Sequence, residues 1–248
     1  MEMVVKDPDF IKRSLRYLEG TVEKLKALKP RDFLKMEVFI PCLEEQQKIA
    51  EFFATIDKII TISEAEASAL EKQKKGAMQM IFSQEVRFKR NDGADYPEWK
   101  KITFENLFTP LNNNTFSRDM LTYDSGEVMN IHYGDILTKF GEICDVHNDG
   151  LPFVKEGNGV SKYELLRDGD IILADTAEDE TVGKAIEIYD MGNIAVISGL
   201  HTMACRPTIM FAPKYLGYYM NSFAYHRQLF PFMQGIKVTS IGRKNIAN

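Results

Sequence analysis

Cysteine is scarce in this chain of 248 residues, and its three thiols, Cys42, Cys144 and Cys205, are scattered with no Cys-x-x-Cys pair. That spacing excludes a disulfide framework and offers no zinc site, so the thiols read as reduced groups in a cytoplasmic protein. Long apolar runs are also missing: no stretch approaches the roughly 20 residues that span a bilayer, and "MEMVVKDPDF" has no basic, apolar leader. Neither secretion nor membrane insertion is expected. No glycine-rich loop ends in Lys-Ser/Thr, which excludes a phosphate-cradling ATP motor, and no Gly-x-Ser-x-Gly elbow is present. The four histidines, His132, His147, His201 and His226, stand apart without ligand spacing, so neither a metal nor a cofactor is expected.

Positive charge is short in one half only. Residues 1–90 hold 17 Lys+Arg against 15 Asp+Glu, whereas residues 91–248 hold 14 against 21, giving +2 and −7. An acidic half excludes a large nonspecific polyanion-binding surface, since Lys and Arg contacts to phosphate supply most of that affinity. It leaves room for a local basic face. At 44% hydrophobic and 27% charged, the chain is long enough to bury a core in one or two domains.

The most regular feature is a helix. Pro41 opens "IPCLEEQQKIAEFFATIDKII", Glu44 and Glu45 complement the macrodipole in the first turn, and no Pro or Gly follows until Gly76. A seven-residue frame collects Ile49, Ile56, Ser63, Leu70 and Ala77 in one row. Phe52, Ile59, Glu66, Gln73 and Met80 form a second, with Phe53, Ile60, Ala67 and Ile81 beside it. A helix over 44–82 would reach about 58 Å. A seam apolar at both ends and polar in the middle suits packing on another long helix as well as it suits lying on its own domain.

Around this helix the pattern is shorter. Asp7 and Pro8 start a helix expected to run to Gly20, and "MEVFI" reads as a strand. Asn91 to Gly93 mark a loop, and Trp99 opens a new, strand-rich unit that its ring anchors. "EVMNIHYGDIL", "YELLRDGDIILADT", "GKAIEIYD", "IAVIS" and "TMACRP" are its strands, and the clearest helix is residues 212–230. An internal echo aligns "KLKALKPRDFLK" with "KVTSIGRKNIAN": with Lys24 on Lys237, Asn248 falls on Lys35. "DYPEWK" is superficially like half of a nuclease metal site but reads better as a turn. "DTAEDETVGK" gathers Asp175, Glu178, Asp179 and Glu180 without calcium-loop spacing and reads as a solvated loop. Ser198 and His201 in "SGLH" do not make a triad.

The stretches "IPCLEEQQKIAEFFATIDKII", "MQMIFSQEVRFK" and "YPEWKKITFENLF", in this order, resemble the specificity subunit of a type I restriction-modification enzyme. "IHYGDIL", "LRDGDIILADTAEDETVGKAIEI" and "SGLHTMACRP" are similar to the body of its target recognition domains. The resemblance implies an α+β fold: a mixed, strand-rich recognition domain joined to a long, coiled-coil-like helix. It divides the chain into the tail of a preceding recognition domain (1–41), a spacer helix (42–84) and a recognition domain (85–248). The pattern departs in having no second spacer helix, as an internal or truncated piece would.

What the resemblance implies for function is noncatalytic recognition of double-stranded DNA. The helix sets the distance between half-sites and docks methylation (M) subunits, and through them restriction (R) subunits; chemistry belongs to those partners. Candidate base readers are His132, Tyr133, Thr176, Lys184, His201, Lys237, Thr239, Ser240, Arg243 and Lys244. Helix pairing falls to Ile49, Phe52, Phe53, Ile56, Ile59, Ile60, Leu70, Met78 and Ile81. An antiparallel homodimer would supply the absent helix. The alternatives are a protein-interaction scaffold or a nonfunctional truncated specificity cassette.

Overall fold

The computed structural model describes residues 38–233 and 239–242, together with Lys12, Leu18, Glu19, Ala27, Leu28, Arg31 and Leu34. The chain forms two units, Met1–Ala69 and Leu70–Asn248.

In the first unit, β1 (Leu18–Glu19) pairs antiparallel with β2 (Ala27–Leu28). The helix expected to run to Gly20 therefore does not reach it, because Leu18 and Glu19 are committed to a ladder; apart from Lys12 and these two, residues 8–20 lie outside the described ones. The strand expected in "MEVFI" is not formed at Val38–Ile40, which are exposed and lie in no strand; Met36 and Glu37 lie outside the described residues. Helix α1, Leu43–Phe82, begins in this unit and ends in the second; it runs 40 residues with acids in its first turn and no buried residue. Its start is held by the Gln46 side-chain amide, which donates to the Pro41 carbonyl at 2.7 Å. Every residue from Cys42 to Lys75 is exposed.

The second unit is built on two sheets. The larger has the order β3 (Phe108–Leu111), which follows directly on the short helix α2 (Phe104–Leu107), β12 (Thr202–Pro207), β8 (Ile171–Ala174), β10 (Ala185–Tyr189), β6 (Ile143–Asp145); all its pairs are antiparallel except β10 with β6. The smaller orders β11 (Ala195–Ser198), β5 (Val128–Ile131), β7 (Phe153–Val154) and β4 (Leu121–Thr122), with β11 parallel to β5. The run "IILA" is apolar at every position because β8 is central: Ile172 and Ala174 join one core cluster, Ile171 and Leu173 another. Alternation along a strand sends successive side chains to opposite faces, so a strand covered on both sides needs no polar positions.

The single charge in "AIEIY" has a specific task. Glu187, 2% exposed, accepts the backbone N–H groups of Lys214 and, at 2.9 Å, Gly217. These belong to the start of α4 (Tyr215–Met220), whose preceding Lys214 is left-handed at φ 72°. The carboxylate thus satisfies donors that a helix start leaves unpaired. Gly217 is required here, since a Cβ would lie 2.3 Å from the Glu142 carbonyl oxygen.

Two element expectations are corrected. "EVMNIHYGDIL" is not one strand: β5 ends at Ile131, and His132 caps α3 (Tyr133–Thr138), its Nδ1 accepting the Gly134 N–H at 3.2 Å. Residues 212–230 are not one helix either. Helix α4 stops at Met220, and α5 (Phe223–His226) follows. Between them the Asn221 side chain turns aside to bond both the N–H and the carbonyl of Ala185. Trp99 is 41% exposed, so the ring does not anchor the unit; Arg87 instead gathers the "DYPEWK" loop through Glu98 and the carbonyls of Tyr96 and Pro97.

Candidate nucleic-acid interface

Four separate pieces of chain meet at one edge of the second unit. The first is the β5–α3 junction, where the His132 and Tyr133 rings lie 4.6 Å apart. The second is the turn from β11 into β12, which is drawn against that junction by two backbone bonds, Gly199 N–H to the Ile131 carbonyl and Tyr133 N–H to the Leu200 carbonyl. Gly199 permits the approach, because a Cβ there would sit 2.4 Å from the Ile131 oxygen. The turn ends in His201, left-handed at φ 53°, whose ring meets Tyr133 edge to face at 5.3 Å. The third is β9 (Thr176–Ala177), where the Thr176 hydroxyl donates to Asp175 at 2.8 Å and lies 3.5 Å from His201 Nδ1. The fourth is β13 (Thr239–Ser240), which pairs with β9 so that Ser240 stands opposite Thr176.

Of the sequence candidates, Tyr133, Thr176, His201 and Ser240 are therefore neighbours, with Thr239 one register step away. Exposure separates their roles. His201 keeps 49% of its side chain open beside Asp175, with Nδ1 3.4 Å from Oδ1, while His132 is only 6% exposed. Burial, and then the nearby Arg118 charge, hold the His132 imidazole below its ordinary pKa. A neutral ring that spends Nδ1 on the cap supports the junction. Lys184 is likewise turned to the framework: Nζ donates to the carbonyls of Phe140 at 2.6 Å and Leu137 at 3.3 Å, and burial lowers its pKa. It binds the end of α3 to β10. Lys237, Arg243 and Lys244 lie outside the described residues.

The Ser198 hydroxyl is buried and bonded to Thr202 at 2.6 Å. In the acidic loop Asp179 accepts from the N–H and hydroxyl of Thr181, closing a turn. Among the described residues, no group of three or more His, Cys, Asp or Glu could hold a metal ion, and no helix is long and apolar enough to cross a membrane.

Sequence reasoning missed Arg118. It lies on a 3₁₀ turn, Arg118–Met120, and its Nη2 donates to Asp135 Oδ1 at 2.7 Å. Asp135, mainly by that bond, holds the guanidinium above its ordinary pKa. Nothing in the local sequence signals a partner on another element, although an arginine before a Gly-Asp helix start is a pairing that could have been asked for.

On α1 the candidate pairing residues stay uncovered for most of its length. Ile49, Phe52, Phe53, Ile56, Ile59, Ile60 and Leu70 are 37–62% exposed. Met78 and Ile81 are half-buried, and Phe82 packs edge to face on Tyr215 and Tyr219.

No family model matches the chain. Over 80 residues it is 34% identical to the "Putative type I restriction enzyme MjaX specificity subunit" of Methanocaldococcus jannaschii, a match covering 32% of this chain and 19% of that one. A chain from a structure of complex assembly and conformational transition of the type I R-M system superposes with a TM-score of 0.51 at 18% identity, over 97% of this chain and 55% of that one. The HsdS subunit from Thermoanaerobacter tengcongensis gives 0.42 at 20% identity, over 97% and 54%. The chain spans about a fifth of the curated relative and about half of those solved chains. It is thus similar in sequence, over part of its length, to a type I restriction specificity subunit. It shares the α+β fold of a chain from a type I R-M system, a long helix with a mixed-sheet domain.

Proposed function

We propose that this chain is a sequence-specific DNA-recognition component of a type I restriction-modification system, itself without catalysis. The observation that carries the reading is the convergence of Tyr133, His201, Thr176 and Ser240 on one edge from four pieces of chain. Aromatic, imidazole and hydroxyl groups on turns held by a rigid sheet suit the reading of base edges. His132 and Lys184 support that edge from behind.

In this reading residues 85–248 carry recognition, 42–84 form the spacer, and 1–41 end a preceding recognition domain. The apolar rows of α1 receive a second long helix, and methylation subunits dock there, bringing restriction subunits with them. An antiparallel copy of this chain is one source of that helix. Each large side chain covered would contribute about 1.5–3 kcal/mol. Partner proteins supply the phosphate contacts that a half of charge −7 lacks.

The test is binding by the chain assembled with its methylation subunits to a randomised duplex pool, across a salt series. A selected motif is expected, weakened by Tyr133→Ala and His201→Ala. Binding indifferent to sequence would remove the reading and leave a protein-interaction scaffold. The chain alone, given DNA, Mg²⁺, ATP and S-adenosylmethionine, should neither cleave nor methylate.

A further inference from the structure

Arg118 is held in an unusual way for a residue so open. Its side chain is 46% exposed, while the carboxylate it bonds, Asp135, is 7% exposed. Asp135 sits in the first turn of α3, where a negative charge is favoured. Its second oxygen is buried and accepts no hydrogen bond, so among the described residues the Asp135 side chain bonds this arginine alone. A Cβ placed on Gly134 would lie 3.4 Å from Arg118 Nη2 and 3.6 Å from His132 Nδ1. The guanidinium therefore stands beside the imidazole at the edge just described. Tyr123 is a lesser partner of Arg118, and Lys139 Nζ lies 5.9 Å from the Tyr123 ring. Lys155 donates to the Asp119 carbonyl at 2.6 Å. Asp119 and Asp124 enter the same loop but accept from Ser117 and Thr122.

This arrangement distinguishes two uses of a cation. A phosphate needs only a charge, which Lys139 and Lys155 supply nearby, each held by a single backbone carbonyl, that of Gly150 at 2.8 Å and that of Asp119 at 2.6 Å, and, among the described residues, by no carboxylate. A planar fork fixed on a buried carboxylate has lost most of its rotamer freedom in advance, which matters where two acceptors must be met side by side. In the major groove that pair is O6 and N7 of guanine. We infer that Arg118, braced by Asp135, reads a guanine of the target. The inference rests on the DNA-recognition reading above and assigns it a residue and a base.

The experiment uses the chain assembled with its methylation subunits and motif selection from randomised duplexes. Wild type should select a motif containing guanine at one position that becomes degenerate in both Arg118→Lys and Arg118→Ala, the other positions holding. Affinity for the guanine site should fall about 5- to 150-fold, the span of one bidentate pair. Arg118→Ala leaves a buried carboxylate unpaired, so Arg118→Ala with Asp135→Asn is made as well and should show the same loss. A measurement on unaltered protein accompanies these: replacing that guanine with 7-deazaguanine, which removes N7, should weaken wild type and leave Arg118→Ala indifferent. An unchanged motif, loss of a base other than guanine, or a uniform fall in affinity that Arg118→Lys restores would overturn the assignment, the last by making Arg118 a phosphate contact. Wild type selecting no motif would remove the DNA-recognition reading itself, and this inference with it.

Discussion

Helix α1 and strand β8 are both rich in isoleucine and leucine, yet α1 buries none of its 40 residues and β8 buries all four of its own. The difference lies in what surrounds them. β8 has a ladder on each side and a core cluster on each face, so its apolar side chains are consumed in folding. The apolar rows of α1 are arranged as regularly but stay exposed from Ile49 to Leu70. Hydrophobic periodicity reports that a face is meant to be buried; whether the chain or a partner buries it depends on long-range topology.

The contrast can be broken or sharpened by mutation. The largest effect belongs to the core: Ile172→Ala should lower stability by about 2–5 kcal/mol, through lost burial and the cavity left behind, read as a shifted urea midpoint. Glu187→Ala comes next, orphaning the buried N–H of Gly217 at about 1–3 kcal/mol and the half-buried N–H of Lys214 at less; melting of the second unit would show it. A smaller change follows acid. Burial holds the His226 pKa below its ordinary value, with Nε2 2.9 Å from the Val182 carbonyl oxygen. Because the folded pKa lies below the unfolded one, the unfolded chain binds more protons in that window. Stability should fall as pH drops below about 6.5 and level off once folded His226 protonates; His226→Gln should flatten that slope in thermal melts. The smallest effect on folding is Ile56→Asp, within about 0.5 kcal/mol because the residue is exposed. The same change should abolish helix-mediated association in light scattering. If Ile56→Asp unfolds the lone chain instead, α1 is a core element after all.

How far the sequence could be read follows the same division. Helix α1 was legible because its signals are local: a proline-led start, acids in the first turn and an unbroken period. Strands β10, β11 and β12 were legible for similar reasons. The helix expected over 212–230 fails at Asn221, whose side chain leaves the local pattern to bond Ala185 across the fold. The strand expected through His132 and beyond fails because a histidine caps a helix there, a role its type suggests weakly. His201 and Thr176 were singled out separately, but their meeting depends on β12 pairing with β8, and Ser240 joins them only through β13 on β9. Arg118 escaped altogether, since its meaning comes from Asp135 on another element.

The three cysteines divide the same way, and chemistry can use that. Cys144 and Cys205 are buried, and burial pushes both thiols far above the ordinary range, whereas Cys42 is exposed immediately before α1. A thiol-directed spin label will therefore mark the head of the helix and leave the second unit untouched. Two such labels would stand about 60 Å apart in a fully overlapping antiparallel pair of 40-residue helices, and about 10 Å apart, one helix spacing, in a parallel pair. The orientation of any helix that covers α1 in a second copy can thus be read as a distance, without altering a single residue.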